Sequence, residues 1–246
     1  MFRFRRRYTL IAMASLLPAA SGTAAVPSSA SVATQMSETL FRDIDTFWSQ
    51  QIASLGGRYR SPKLAYLAQP MHGVCGVQAT LTGPFYCPVN ETVYLDPLFV
   101  QQVAERARDE KMLALGYVIA HEVAHHIQNL IGTTGVVNQA RSRSTPELAN
   151  RILTTMELQA DCYAGLWARR AATVGTISLP TDTSKALDPV AAIGRERQLH
   201  LAAGQEMLDP LTHGIATQRL KWFRRGSDSG RFDDCDTFSA NSNGDL

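Results

Sequence analysis

The sequence predicts an α+β fold that is mainly helical, in one domain with a small sheet before its most apolar helix. Several long stretches carry apolar residues at helical spacing, whereas residues 59–96 contain short apolar segments separated by Pro and Gly. Residues 112–131 are apolar almost all round, which is typical of a buried helix. The chain has 246 residues, 45% of them hydrophobic, which suffices for one sizeable core.

Residues 1–25 have the layout of a secretory signal peptide. Four arginines lie among the first seven residues, an apolar run covers 8–17, and Pro18 and small residues follow. About ten apolar residues are too few to span a bilayer, which weakens the alternative of a membrane anchor. We predict a periplasmic or secreted protein, or a membrane-tethered one if the signal is not cleaved. Residues 26–35 would be a linker, 36–239 the domain and 240–246 a flexible tail.

The charge of the chain argues against some partners. Removing residues 1–25 takes away four arginines and no acidic residue, so the formal net charge falls from +2 to −2. The basic character therefore belongs largely to the signal. We expect no nucleic-acid partner. We also expect no stable membrane span once the signal is removed.

Four cysteines, Cys75, Cys87, Cys162 and Cys235, remain in the mature chain. An even number in an oxidising compartment favours two disulfides. Three pairings are possible, of which Cys75–Cys87 is the local option and leaves Cys162–Cys235 as a long-range bridge. No CxxC pair is present, so a cysteine metal site is not favoured.

The elements before the central helix follow in order. A first amphipathic helix is predicted from Ser37 as cap to the stop at residues 56–57. Three or four short strands should occupy residues 59–96, the last of them Thr92–Leu95. Asp96 and Pro97 then have the residue types of a helix cap and first position, so a second helix should begin there.

The rest of the chain is predicted to be helical with one loop. The apolar helix of residues 112–131 should end at Gly132, and residues 133–144 read as a loop. Ser144 or Thr145 would cap the next helix, which should end at Gly175. Further helices are expected within 182–208 and 212–226.

Residues 120–128, "AHEVAHHIQ", raise the question of a metal site. His121 and His125 lie four apart, so a helix places them on one face, where each can bind one zinc ion at about 2.0–2.1 Å. Zinc lowers the pKa of a bound water, and Glu122 can take the proton of that water as it attacks a carbonyl. The HExxH pattern also occurs by chance. Here it lies in an apolar helix, where buried ionisable groups need a partner.

Two histidines require a third protein ligand, for which Glu157 is the candidate. Glu157 and Asp161, in "MELQAD", are also four apart on a helix that can face the first. Asp161 would accept the free ring N–H of a ligand histidine. Taken alone, the two acids could equally form a solvated face. Rival ligands are His126, which should point away from His125, together with His200 and His213.

Several segments taken in order resemble the bacterial family of neutral zinc metallopeptidases. They are "CGVQATLTGPFYCPVNETVYLD", "YVIAHEVAHHIQ", "ELQADCYAGLWA", "IGRERQLH" and "THGIATQRLKWF", and the resemblance covers about residues 41–238. It implies a compact zincin fold of the gluzincin type, with His121, His125 and Glu157 as zinc ligands and Glu122 as base. It also suggests that Asp161 supports a ligand. "IGRERQLH" departs from the family, because Arg and His stand where an acidic residue and Gln are expected.

Two further roles are predicted for the substrate-binding side. Thr92–Leu95 is the candidate for an edge strand that pairs with an extended peptide. His213 is the candidate donor to the oxyanion of the tetrahedral intermediate, or else it caps or packs the last helix. Arg219 could replace it in that role or bind a carboxylate.

The predicted function is that of an exported, zinc-dependent peptidase acting on a peptide or protein substrate. One alternative is a non-enzymatic, zinc-stabilised envelope domain that binds a protein or peptidoglycan. Retention of Glu122 argues against it, because a purely structural zinc site needs no base. Another alternative is a zinc amidase acting on cell-wall peptides, which the sequence does not distinguish.

Overall fold

The structure is a computed structural model that describes residues 29–67, 71–72, 75, 80–81, 83–201 and 216–243. Over these residues it is α+β and mainly helical, as predicted. Residues 1–25, predicted to be a signal peptide, lie outside them. None of the described helices combines the length and apolarity that crossing a membrane requires. The helices are α1 (Ser29–Ser54), α2 (Pro97–Ala107), α3 (Lys111–Leu130), α4 (Thr133–Arg141), α5 (Pro146–Thr173), α6 (Ser184–Leu201), α7 (Ala216–Ser229) and α8 (Thr237–Asn243).

The first helix begins earlier than predicted. Helix α1 starts at Ser29, and Ser37 lies inside it, where its hydroxyl donates to the Ala33 carbonyl at 2.9 Å. Residues 29–35, predicted as a linker, are therefore helical. Ala33 is buried in the core, and this burial stabilises a helical turn whose small residues carry little apolar signal of their own.

The strands form two small sheets. They are β1 (Lys63–Tyr66), β2 (Met71–His72), β3 (Thr80–Leu81), β4 (Phe85–Cys87) and β5 (Thr92–Leu95). Strand β5 lies in the middle of a three-stranded sheet, parallel to β1 and antiparallel to β4. The prediction that Thr92–Leu95 is an edge strand is therefore wrong, because β1 and β4 use both of its sides.

The predicted helix boundaries around the core are confirmed where capping residues define them. Asp96 accepts hydrogen bonds from the backbone N–H groups of Leu98 and Phe99, at 2.8 and 3.3 Å. Thr145 accepts from the Leu148 N–H at 3.4 Å. Gly132 follows α3 with a φ of 87°, a conformation that glycine adopts without steric cost.

Two segments predicted to be irregular contain helices. Helix α4 occupies residues predicted as a loop, and its Val137 is buried. Helix α8 includes residues 240–243, which were assigned to a flexible tail. The hydroxyl of Thr237 donates to the buried Thr155 carbonyl at 2.8 Å, which attaches α8 to α5. Tertiary contacts therefore stabilise short helices that propensity alone does not predict.

Both expected disulfides are present. Cys75 pairs with Cys87 beside the small sheet, and Cys162 in α5 pairs with Cys235 near the C-terminus. The second bridge closes a sequence separation of 73 residues. It fixes the C-terminal segment against the helix that carries Glu157.

Helices α3, α5 and α7 pack closely and position the site. Gly116 of α3 lies against the Trp167 ring of α5, and a Cβ at that glycine would collide with the ring. Gly165 of α5 and Gly226 of α7 likewise allow the two helix backbones to touch. Small residues at these crossings bring the polar side chains of three helices within hydrogen-bonding distance.

Candidate metal centre

His121, His125 and Glu157 converge in the helical core. One ligand atom from each lies within 4.8 Å of the others. The Nε2 atom of His121 is 3.1 Å from one Glu157 carboxylate oxygen, and that of His125 is 3.4 Å from the other. His121 and Glu157 are each only 5% exposed. The helical spacing thus places both imidazoles against the acidic side chain of α5, as predicted.

This group has the chemistry and spacing of a metal site. Two imidazole nitrogens and a carboxylate oxygen are ligands that zinc prefers, and three protein ligands leave one position open. In a tetrahedral site with bonds of about 2.0–2.1 Å, neighbouring ligand atoms lie about 3.3 Å apart. The observed separations of 3.1 and 3.4 Å, which involve different oxygens of the Glu157 carboxylate, are close to this value, and one ligand atom from each of the three residues lies within 4.8 Å of the others. The residues present therefore fit a zinc ion.

Asp161 contacts the ring nitrogen of His121 that does not face Glu157. Its Oδ1 lies 3.0 Å from the His121 Nδ1 atom and accepts the Tyr117 hydroxyl at 2.7 Å. Arg219 of α7 donates to both carboxylate oxygens at 2.9 Å. With the Nδ1 hydrogen directed to Asp161, Nε2 is the nitrogen that faces Glu157 and is left to bind a metal. Of the two roles predicted for Arg219, the structure shows binding to a carboxylate.

The electrostatics of this cluster favour positive charge at the ligand atoms. Burial opposes the charged form of His121, but the Asp161 and Glu157 carboxylates together outweigh it and raise the pKa of His121 to about 10. Burial would raise the pKa of Asp161, yet the Arg219 guanidinium holds it below its ordinary value. Asp161 therefore stays ionised beside the His121 imidazole, which suits a cation at this site.

His125 has a different support, which the sequence did not predict. Its Nδ1 atom lies 2.8 Å from Oε1 of Gln128. The Gln128 amide nitrogen donates to the Met156 carbonyl at 2.8 Å and to Oε1 of Gln159 at 3.1 Å. Gln159 in turn donates to the Cys235 carbonyl at 3.2 Å. Neutral amides thus connect this imidazole to the C-terminal segment.

Glu122 lies next to the ligand pair. It is partly exposed on α3, and its charge is among those that raise the pKa of His125 above the ordinary value. Burial, which lowers that pKa, is outweighed here, and Glu157 has the larger raising effect. Glu122 can therefore expose its carboxylate to solvent while it lies next to the two histidines.

The histidines that were considered as alternative ligands are His126, His200 and His213. The His126 ring nitrogens lie 2.9 Å from the Tyr86 hydroxyl and 2.6 Å from the Arg60 carbonyl, so both are hydrogen-bonded away from the ligand group. His200 belongs to α6, and His213 lies outside the described residues. The predicted role of His213 therefore stays a prediction.

Three residues at the site escaped sequence analysis. Tyr117 precedes His121 by four positions and Gln128 follows His125 by three, so helical periodicity could have placed both near the ligands. For Gln159, no helical spacing from a ligand histidine indicates that it belongs to the site. Its contact with Cys235 spans 76 positions along the chain.

The fold and site define a mainly helical protein in which an HExxH helix and the next long helix bring together three side chains that could hold a metal ion. The family model described as "Putative neutral zinc metallopeptidase" matches residues 12–238 of this chain. The chain therefore belongs to this family.

Relatives in two bacteria support the family assignment. The chain is 37% identical over 206 residues to "Uncharacterized protein YpfJ" of Escherichia coli strain K12, covering 84% of this chain and 71% of that protein. It is 36% identical over 207 residues to "Uncharacterized protein Rv2575" of Mycobacterium tuberculosis strain H37Rv, covering 80% and 68%. No solved structure matches this chain significantly.

Proposed function

We propose that this protein is an exported, zinc-dependent peptidase in which Glu122 is the general base. The observation that carries the proposal is the convergence of two imidazoles and one carboxylate, with Glu122 adjacent to His121 in the same helix. Membership of a family described as zinc metallopeptidases supports the same reaction class.

The chain's residues divide the chemistry among them. His121, His125 and Glu157 would hold zinc, which when bound polarises a carbonyl and lowers the pKa of water. Glu122 accepts the proton of the attacking water and passes it to the leaving amine. Asp161 keeps the His121 ring in the tautomer that presents Nε2. His213 is the proposed donor to the oxyanion.

Export is supported by two independent features. The layout of residues 1–25 is that of a secretory signal, and both cysteine pairs form disulfides. Disulfides persist mainly in oxidising compartments such as the periplasm or the medium. We therefore propose that the site acts on extracytoplasmic peptides or proteins.

The substitution Glu122→Gln tests the reaction. We expect the variant to bind zinc with the parent's stoichiometry and to lose hydrolysis by about 10²-fold or more, because the base is gone but all ligands remain. Metal analysis and a peptide-library digest, with and without chelator, measure the two properties. Glu105→Gln, on the exposed side of α2, is the matched control and should retain full activity.

The outcomes separate the competing functions. Equal cleavage with and without chelator, or none by the zinc-loaded parent, would favour a non-enzymatic zinc domain. Cleavage of cell-wall amides but not of ordinary peptides would make the proposed substrate class wrong. A Gln variant that cleaves as fast as the parent would refute the role of Glu122.

A further inference from the structure

We propose that Gln128 and Gln159 form an amide relay that positions His125 for metal binding. The inference rests on the proposed metal centre but not on peptidase activity. Gln128 would act as a positioning residue by fixing which ring nitrogen of His125 carries hydrogen. Gln159 would act through Gln128, and the C-terminal segment would hold Gln159.

The direction of the relay is set by two backbone carbonyls, which can only accept hydrogen bonds. The Cys235 carbonyl lies 3.2 Å from the Gln159 nitrogen, so the Gln159 oxygen must face Gln128. The Gln128 nitrogen lies 2.8 Å from the Met156 carbonyl and 3.1 Å from that oxygen, and it donates to both. Exchanging N and O in either amide would place oxygen against oxygen.

The fixed direction determines the state of His125. With both hydrogens of its nitrogen in use, Gln128 presents only its oxygen to the Nδ1 atom of His125, at 2.8 Å. An amide oxygen cannot donate, so Nδ1 must carry the hydrogen. Nε2 is then the nitrogen that faces Glu157 and is left to bind a metal, which is the arrangement a metal ligand requires.

Burial gives the relay its rigidity. Gln128 is fully buried, and Gln159 is 7% exposed. A buried amide that loses a partner has no water to replace it, so one arrangement is strongly favoured over its alternatives. The last acceptor belongs to Cys235, whose disulfide to Cys162 attaches it to α5, the helix that also carries Glu157.

Substitutions at Gln128 test the proposal. Gln128→Leu removes the acceptor, and we expect the zinc dissociation constant to rise about 10–100-fold. Gln128→Glu, as the neutral acid, keeps an acceptor oxygen for Nδ1 and a hydroxyl that can donate to the Met156 carbonyl, so its constant should stay within a few-fold of the parent. Competition with a chromophoric zinc chelator measures both constants on the full mature chain.

A second measurement reports on the imidazole itself. In the zinc-loaded parent, ¹⁵N NMR of the His125 ring should show hydrogen on Nδ1 and coordination by Nε2, with slow exchange of the Nδ1 hydrogen. Exchange should become fast in Gln128→Leu and stay slow in Gln128→Glu. A role in folding alone would not move this signal.

Two further variants sharpen the test. Gln159→Leu should raise the zinc dissociation constant less than Gln128→Leu does, because the Met156 carbonyl still orients Gln128. Val103→Ala, a fully buried truncation in α2, should lower the melting temperature without changing zinc affinity. It controls for general destabilisation.

Each outcome decides between the two proposals. Parent-like zinc affinity in Gln128→Leu, or coordination of His125 through Nδ1, would overturn the relay. If the relay variants behave as expected but the parent cleaves nothing, the relay is supported and the peptidase proposal fails. A parent that binds no zinc would overturn both.

Discussion

The two ligand histidines lie one helical turn apart, yet their supports differ in charge. The ring N–H of His121 points to the carboxylate of Asp161, which Tyr117 and Arg219 also bind. The Nδ1 atom of His125 faces a neutral amide. One side of the site is an ionic cluster and the other a chain of amides.

Charge balance explains why the supports are not alike. A buried carboxylate costs several kcal/mol unless another charge compensates it. Arg219 compensates Asp161, while Glu157 places another acidic side chain among the proposed ligands. In the part of the chain that the structure describes, the groups that Gln128 contacts behind His125 are neutral, so a second supporting carboxylate there would have no such partner. A neutral amide orients the ring without adding charge.

The largest expected effect comes from removing a proposed zinc ligand. Without that ligand the ion is not held, and the different supports of the two histidines no longer matter. We expect His125→Ala to lose both zinc and detectable hydrolysis, because two ligands rarely hold zinc. His126→Ala is the matched control, since its ring bonds Tyr86 and Arg60 instead. It should keep stoichiometric zinc by metal analysis. Stoichiometric zinc in His125→Ala would make the proposed ligand set wrong.

The next effect concerns the ionic side. Asp161→Asn leaves the Arg219 charge without its partner, and we expect a loss of about 2–4 kcal/mol in the free energy of unfolding. Zinc affinity should fall about 10–100-fold. Urea denaturation and chelator competition measure the two.

A double variant tests whether charge balance is the cause. Arg219→Met combined with Asp161→Asn should be more stable than Asp161→Asn alone, because the unpaired guanidinium is removed. If the two substitutions destabilise additively, the charges are independent and the explanation above fails.

The smallest expected effect on zinc affinity comes from the far end of the amide side. Replacing Cys162 and Cys235 together by alanine should cost about 2–4 kcal/mol of stability and raise the zinc dissociation constant a few-fold, because the Cys235 carbonyl is held less firmly. Replacing Cys75 and Cys87 is the control. An equal effect on zinc from both pairs would show that the disulfide acts only through global stability.

Residue spacing along the chain was enough to predict the features that depend on local geometry. Helical periodicity placed His121 and His125 on one face, and Asp96 and Thr145 marked helix starts, because caps satisfy nearby N–H groups. The acidic pair on α5 could be placed near the histidines because residues four apart share a face of a helix that can pack on α3.

The contacts between distant segments could be identified only from the three-dimensional fold. It placed β5 between two strands and Arg219 on Asp161, and it connected Gln128 through Gln159 to Cys235. It also made helices of α4 and α8. In each case the stabilising partner comes from another element, and no residue spacing along the chain encodes which surfaces will pack together.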